Sequence, residues 1–161
     1  MQTDSSDRLP KHLLIGFGLA LIVYASFFSC DQYVRQRKGP WEVTFATNAA
    51  GWAQIEISQP NLAIHSSVIF EGEKPTNTGS VKFDRPEQSI PFGKTKFEDL
   101  TYLPGGVAFD FFGHEVELLP RTLYLNKREH PWVRDEQITL KANEKLSPEM
   151  TYDPRKKKRR F

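Results

Sequence analysis

Asp110, His114, Glu115 and Glu117 crowd into the ten residues "FDFFGHEVEL", a group of side chains able to do chemistry. Two chemistries suit such a group. A hard cation such as Ca²⁺ takes several oxygen ligands, and His114 would stand beside it. Alternatively, two carboxylates with separated pKa values would serve acid–base hydrolysis, the arrangement glycosidases use. Geometry decides between these and a plain charged surface. Gly113 and His114, as the central residues of a two-residue type II′ turn, make the stretch a hairpin. That turn predicts Phe112 opposite Glu115, Phe111 opposite Val116, Asp110 opposite Glu117 and Phe109 opposite Leu118. One face is then apolar: Phe109, Phe111, Val116 and Leu118. The other gathers Asp110, Glu115 and Glu117, with Phe112 among them.

Like charges facing each other on a ladder are destabilising, so Asp110 against Glu117 calls for a compensating charge. The stretch "GKTKFED" contains two lysines that answer this without a metal. If it pairs so that Phe97 meets Phe109, Lys94 and Lys96 join the acidic face and Lys96 borders Asp110. The expectation is therefore a solvated Lys–Asp–Glu row, with no metal, no cofactor and no catalytic residue. His65, alternating with Ile64, belongs on a strand surface or edge, and His130 in a loop before Pro131. No two histidines have helical ligand spacing and no CxxC occurs, which argues against zinc. Gly-x-Ser-x-Gly, P-loop and GxGxxG patterns are also missing. Trp41, Trp52 and Trp132 would stack on sugars if exposed, but two of them open alternating segments, so core or rim packing is expected.

Cys30, the only cysteine, ends the only long apolar run, Leu13 to Cys30, eighteen residues without a charge. As a helix the run would be about 27 Å long, close to the hydrocarbon thickness of a bilayer. Tyr24, Phe27, Phe28 and Tyr33 cluster toward its C-terminal end, as interfacial rings do. Its last residues, "FFSC", resemble the lipobox of bacterial lipoproteins. Ser29 is the small residue before the cysteine, and Asp31 matches the residue marking inner-membrane retention in enterobacterial lipoproteins. Phe27 and Phe28 depart from the Leu and short residue usual there. The resemblance implies cleavage and lipid attachment at Cys30. Against it, the run exceeds a typical signal h-region of about 7–15 residues, and Arg35, Arg37 and Lys38 follow closely. The reading adopted is an uncleaved transmembrane helix over residues 13–33, after an N-terminal tail of residues 1–12.

A polar linker, residues 34–40, closes with Gly-Pro, and the period then changes from helical to two. In "WEVTFAT", Trp41, Val43 and Phe45 alternate with Glu42, Thr44 and Ala46, and "WAQIEIS" repeats the pattern. Short alternating segments continue, separated by turn residues every eight to twelve positions. The fold class expected is all-β: a small antiparallel β-sandwich of about seven to nine strands over residues 41–146. With one cysteine no internal disulfide is available, so the core must hold the domain. Gly39 to Pro154 carry 11 Lys+Arg against 17 Asp+Glu, a net −6, whereas Arg155, Lys156, Lys157, Lys158, Arg159 and Arg160 carry +6. Residues 147–161 are read as a disordered basic tail.

These features predict a single-pass, membrane-anchored, non-enzymatic binding or assembly module, with a membrane-protein partner. The tail would meet anionic lipid headgroups; without stacking aromatics beyond Phe161, no specific nucleic-acid partner is expected. The alternatives are a lipoprotein acylated on Cys30 and a membrane-anchored hydrolase using Asp110, Glu115 and Glu117. The expected location is a bacterial inner membrane. Basic-residue counts favour a cytoplasmic body, but the commoner bacterial arrangement exports it, and the periplasmic side is adopted.

Overall fold

The computed structural model describes residues 9–147, which form two compact units dividing after Arg37. The basic tail, with Arg155 to Arg160, lies outside the described residues.

The first unit is a single helix, α1 (Leu9–Gln36). It begins earlier than the apolar run because Pro10 occupies its first turn, where no backbone N–H is needed. It ends later because Asp31 and Arg35 pair one turn apart, Nε to Oδ2 at 2.6 Å, and Arg35 also suits the negative end of the helix dipole. Between Leu13 and Cys30 apolar side chains stand exposed around the helix: Leu14 is 75% exposed and Phe27 74%.

The second unit contains ten strands: β1 (Glu42–Thr47), β2 (Ala53–Gln59), β3 (Ile64–Phe70), β4 (Gly79–Lys82), β5 (Lys94–Asp99), β6 (Gly106–Phe111), β7 (His114–Leu119), β8 (Thr122–Leu125), β9 (Arg128–Pro131) and β10 (Glu136–Leu140). They make two five-stranded sheets, ordered β10-β3-β2-β1-β4 and β5-β6-β7-β8-β9. The all-β sandwich read from the period-two pattern is thus the observed architecture, with two differences. "REHPW", expected to be a separator, supplies β9: Asn126 and Lys127 both take positive φ, 50° and 66°. They fold the chain back in a type I′ turn, so His130 lies on a strand, with Pro131 tolerated at the sheet edge. β10 pairs with β3 in parallel, unlike every other neighbouring pair, because the chain crosses from one sheet to the other between β9 and β10. That crossing is held by Ser66 Oγ donating to Val133 O at 3.0 Å.

Alternation explains the core. Val43 and Phe45 on β1, Ile55 and Ile57 on β2 and Val68 and Phe70 on β3 face Val107, Phe109 and Phe111 on β6, with Val116 and Leu118 on β7, in one buried cluster. Aromatic contacts bridge the sheets: Phe70 to Phe111 at 5.2 Å and Phe83 to Phe109 at 5.3 Å between centroids. Phe111 also meets Phe45 and Phe92 edge-on, a favoured geometry for ring quadrupoles. Trp41 is fully buried, its Nε1 donating to Gly105 O. Its ring lies 5.5 Å from that of Trp132, whose Nε1 donates to Leu119 O. Trp52 is half-buried beside the turn after β1.

The start of the sandwich is tied down by a residue the sequence reading overlooked. Gln59 is buried, and its Nε2 lies within 3.0 Å of the carbonyl oxygens of Lys38, Gly39 and Pro40. The segment read as a polar linker, residues 34–40, is therefore helical up to Gln36 and clamped from Lys38 onward.

Phe111→Ala removes the ring shared by both sheets. It is expected to lower unfolding free energy by about 3–5 kcal/mol. Chemical denaturation of the full chain in detergent, read by tryptophan fluorescence, checks this; an unchanged midpoint would contradict the inward face assigned to β6.

Candidate functional site

The two central residues of the β6–β7 turn are Phe112 and Gly113, with φ of 54° and 88°. This is a type I′ turn in place of the expected type II′ turn over Gly113 and His114. The physical reason is room and packing. With Phe112 in the left-handed region, its ring lies over Phe70 and Phe92, 5.8 and 5.7 Å away. The observed pairs are Phe111 with His114, Asp110 with Glu115, Phe109 with Val116, Ala108 with Glu117 and Val107 with Leu118. The predicted pairs are corrected accordingly. The displacement moves each partner by two residues, so every strand residue keeps its face. Asp110, Glu115 and Glu117 do share the outer face.

Two residues leave the predicted group. Phe112 is a turn residue packed on the core. His114 is inward, only 1% exposed, with Phe70 6.0 Å from its ring. It cannot join the outer carboxylates as a ligand, because strand alternation points it to the opposite face. Its partner is Asn126. Asn126 Oδ1 accepts the Glu115 N–H at 3.0 Å, which orients the amide so that Nδ2 meets His114 Nδ1 at 3.1 Å and Glu144 O at 2.9 Å. Nδ1 therefore accepts, and the imidazole is neutral. Burial, then the Lys145 ammonium, hold its pKa below the ordinary value, outweighing the opposite pull of Glu144, the Asn126 side chain and Glu73.

On the outer face the facing carboxylates are Asp110 and Glu115, and each has a local remedy. Asp110 Oδ1 accepts the turn N–H of Gly113 at 3.1 Å, and Lys94 is its ladder partner on β5. Glu115 pairs with Lys96, Nζ to Oε2 at 2.5 Å. The expected lysine row is present, but a bulge between Thr95 and Phe97 rearranges it. Lys94, instead of Lys96, stands against Asp110. Phe97 meets Ala108 in place of Phe109 and remains 58% exposed. A bulge adds a residue to one strand and re-aims those around it. Glu117, opposite Ala108 and Tyr124, is half-buried. The result is a charged row in which Asp110, Glu115 and Glu117 share one face with Lys94 and Lys96.

Among the described residues, no three His, Cys, Asp or Glu side chains come together as a metal site. His65 lies exposed on β3, its Nδ1 2.9 Å from Asp135 Oδ1. Cys30 is a free, exposed thiol on α1. One further carboxylate was missed by sequence reading. Glu98, on the inward side of β5, accepts the Glu87 N–H through Oε2, while its Oε1 and Thr95 Oγ1 are buried without partners. Strand alternation alone would have placed Glu98 outward with Lys94 and Lys96; the bulge between Thr95 and Phe97, whose position the sequence does not mark, reverses that parity.

His114 makes stability pH-dependent. Its folded pKa lies below the ordinary 6.5, so below that value the unfolded chain binds the proton first. Unfolding free energy is expected to fall as pH drops below about 6.5, by up to about 1.4 kcal/mol per unit, until the folded imidazole also protonates. His114→Phe should flatten that part of the pH profile in denaturant titrations. On the outer face, a double-mutant cycle of Lys96→Ala and Glu115→Ala is expected to give a coupling of at most about 1 kcal/mol.

No family model matches the chain, and neither a curated protein nor a solved structure matches it.

Proposed function

We propose that this protein is a membrane-anchored, non-enzymatic β-sandwich that binds or assembles with a partner at the bilayer. The observation that carries this reading is α1. It is the one helix among the described residues long and apolar enough to cross a membrane, and none of its apolar window is buried. At about 1.5 Å per residue it exceeds the roughly 30 Å hydrocarbon core. Such an all-round apolar surface finds its favourable environment in lipid tails.

The sandwich itself supports binding over catalysis. Its outer carboxylates are half-buried, Asp110 engaged by the turn backbone and Glu115 by a lysine, and its histidine closest in sequence is buried as a neutral acceptor. Tethering raises the effective concentration of such a module toward other membrane-bound molecules without any new contact. The basic residues Arg155 to Arg160 add attraction to anionic headgroups, about 1 kcal/mol per charge near the surface. The location proposed is a bacterial inner membrane, with the sandwich on its periplasmic side and Cys30 unmodified.

Membrane fractions washed with alkaline carbonate should retain the full chain, whereas a chain lacking residues 1–37 should appear in the soluble fraction. The intact mass should include residues 1–29. Loss of those residues with acyl chains on Cys30 would replace the transmembrane helix by the lipoprotein reading.

A further inference from the structure

The four sheet edges of the sandwich are not equally protected. β5 carries Lys94, Lys96 and a bulge, and β9 ends in Pro131. β4 is only four residues long, and Pro91 lies 3.4 Å from where a Cβ on Gly79 would stand. Lysines, prolines, bulges and short strands are the devices that prevent a sheet from recruiting another strand. The strand β10, "EQITL", has no lysine, proline or bulge, and is one residue longer than β4 or β9.

Its unpaired side can be assigned. Leu140 O accepts the N–H of Glu71, which follows β3, so the backbone polar groups of Leu140 turn toward that neighbour. Successive residues alternate, and the N–H and C=O of Gln137 and Thr139 therefore lie on the open edge. Beside that edge runs a cleft of about 630 Å³, between β10 and the β8–β9 hairpin and closed at one end by residues 143–147. That volume falls within the range of about 300–1,000 Å³ typical of binding clefts. Leu125, Ile138, Leu140 and Leu146 give it an apolar lining, and Arg128 with His130 forms the facing wall. Arg128 has no ion pair among the described residues, whereas Lys145 is engaged by Glu73 and Glu144 accepts the Lys141 N–H.

We propose that β10 and this cleft accept an extended segment of a partner polypeptide, which adds as a sixth strand to the first sheet. The inference rests on the binding-module reading above and names its partner class. Main-chain donors and acceptors at strand spacing, unpaired among the described residues, call for a polypeptide, which lipid or sugar cannot match. The cleft then selects side chains. In an added strand, residues two apart face the same side, so an apolar residue meets Leu125 and Leu140 while an acidic residue two positions away meets Arg128. Gln137 and Thr139 make the ladder, and Arg128 sets the charge.

The test uses the full chain in detergent micelles and a fluorescein-labelled peptide, Thr-Val-Thr-Asp-Thr-Val-Thr, read by fluorescence anisotropy. A control peptide carries lysine in place of aspartate. Saturable binding of the aspartate peptide, at least tenfold weaker for the lysine peptide, is expected. Arg128→Glu, a surface change, should weaken the aspartate peptide at least tenfold, and Thr139→Pro, which removes an outward N–H only, should abolish binding. Circular dichroism melts confirm that both variants fold. No binding by the unaltered chain, or equal binding by the two peptides or by Arg128→Glu, would overturn the proposal. So would binding that appears only after residues 148–161 are removed, which would make that segment the occupant. So would a concentration-dependent dimer, without peptide, that Thr139→Pro disperses, which would make a second copy the occupant. A chain that fails to bind peptide yet resists carbonate extraction loses the docking site alone; a chain released by carbonate loses the membrane reading.

Discussion

Strand parity at the β6–β7 hairpin determines the face of nearly every side chain considered above. Phe109 and Phe111 point into the sandwich, with Val116, Leu118 and His114 from the returning strand, and Asp110, Glu115 and Glu117 point out. A one-residue slip would drive carboxylates into an aromatic core and rings into water, a change no local adjustment could offset. The Phe112–Gly113 turn and the room left by Gly93 hold that parity. A Cβ at Gly93 would stand 2.3 Å from Phe111 Cδ1, and Gly93 has a φ of +81°. The neighbouring chain thus passes directly over the edge of the central ring.

The same hairpin links the core to the C-terminal segment. Asn126 joins the backbone of Glu115, the His114 ring and Glu144 O, while the Leu146 N–H donates to Gly113 O. Buried polar groups are costly unless paired, and here one amide satisfies several of them. Residues 141–147 are thereby drawn across the end of the sandwich and close one end of the cleft beside β10. The cleft is a consequence of how a buried histidine finds its partner.

The strand edges show a further constraint. Lysines on β5 neutralise the outer carboxylates and also discourage strand addition, so one pair of residues meets two needs. β10 lacks such protection, and its cleft bears a cation facing an apolar lining.

Much was legible in the sequence because strong periodicities have a single physical outcome. The eighteen uncharged residues from Leu13 to Cys30 lie within one helix, and the alternation of Val43 and Phe45 with polar neighbours is that of strand β1. The inward and outward residues of the hairpin, and lysine compensation of the acidic face, followed from the same alternation. What the sequence could not decide were matters of register and partner. Gly113 suits either a I′ or a II′ turn, and only the space over Phe70 and Phe92 selects the one that buries His114. The Thr95–Phe97 bulge, the parallel return of β10 and the clamp of Gln59 on Lys38 to Pro40 all join residues far apart in the chain. Local pattern is blind to such contacts, because their energy exists only once both sheets are assembled.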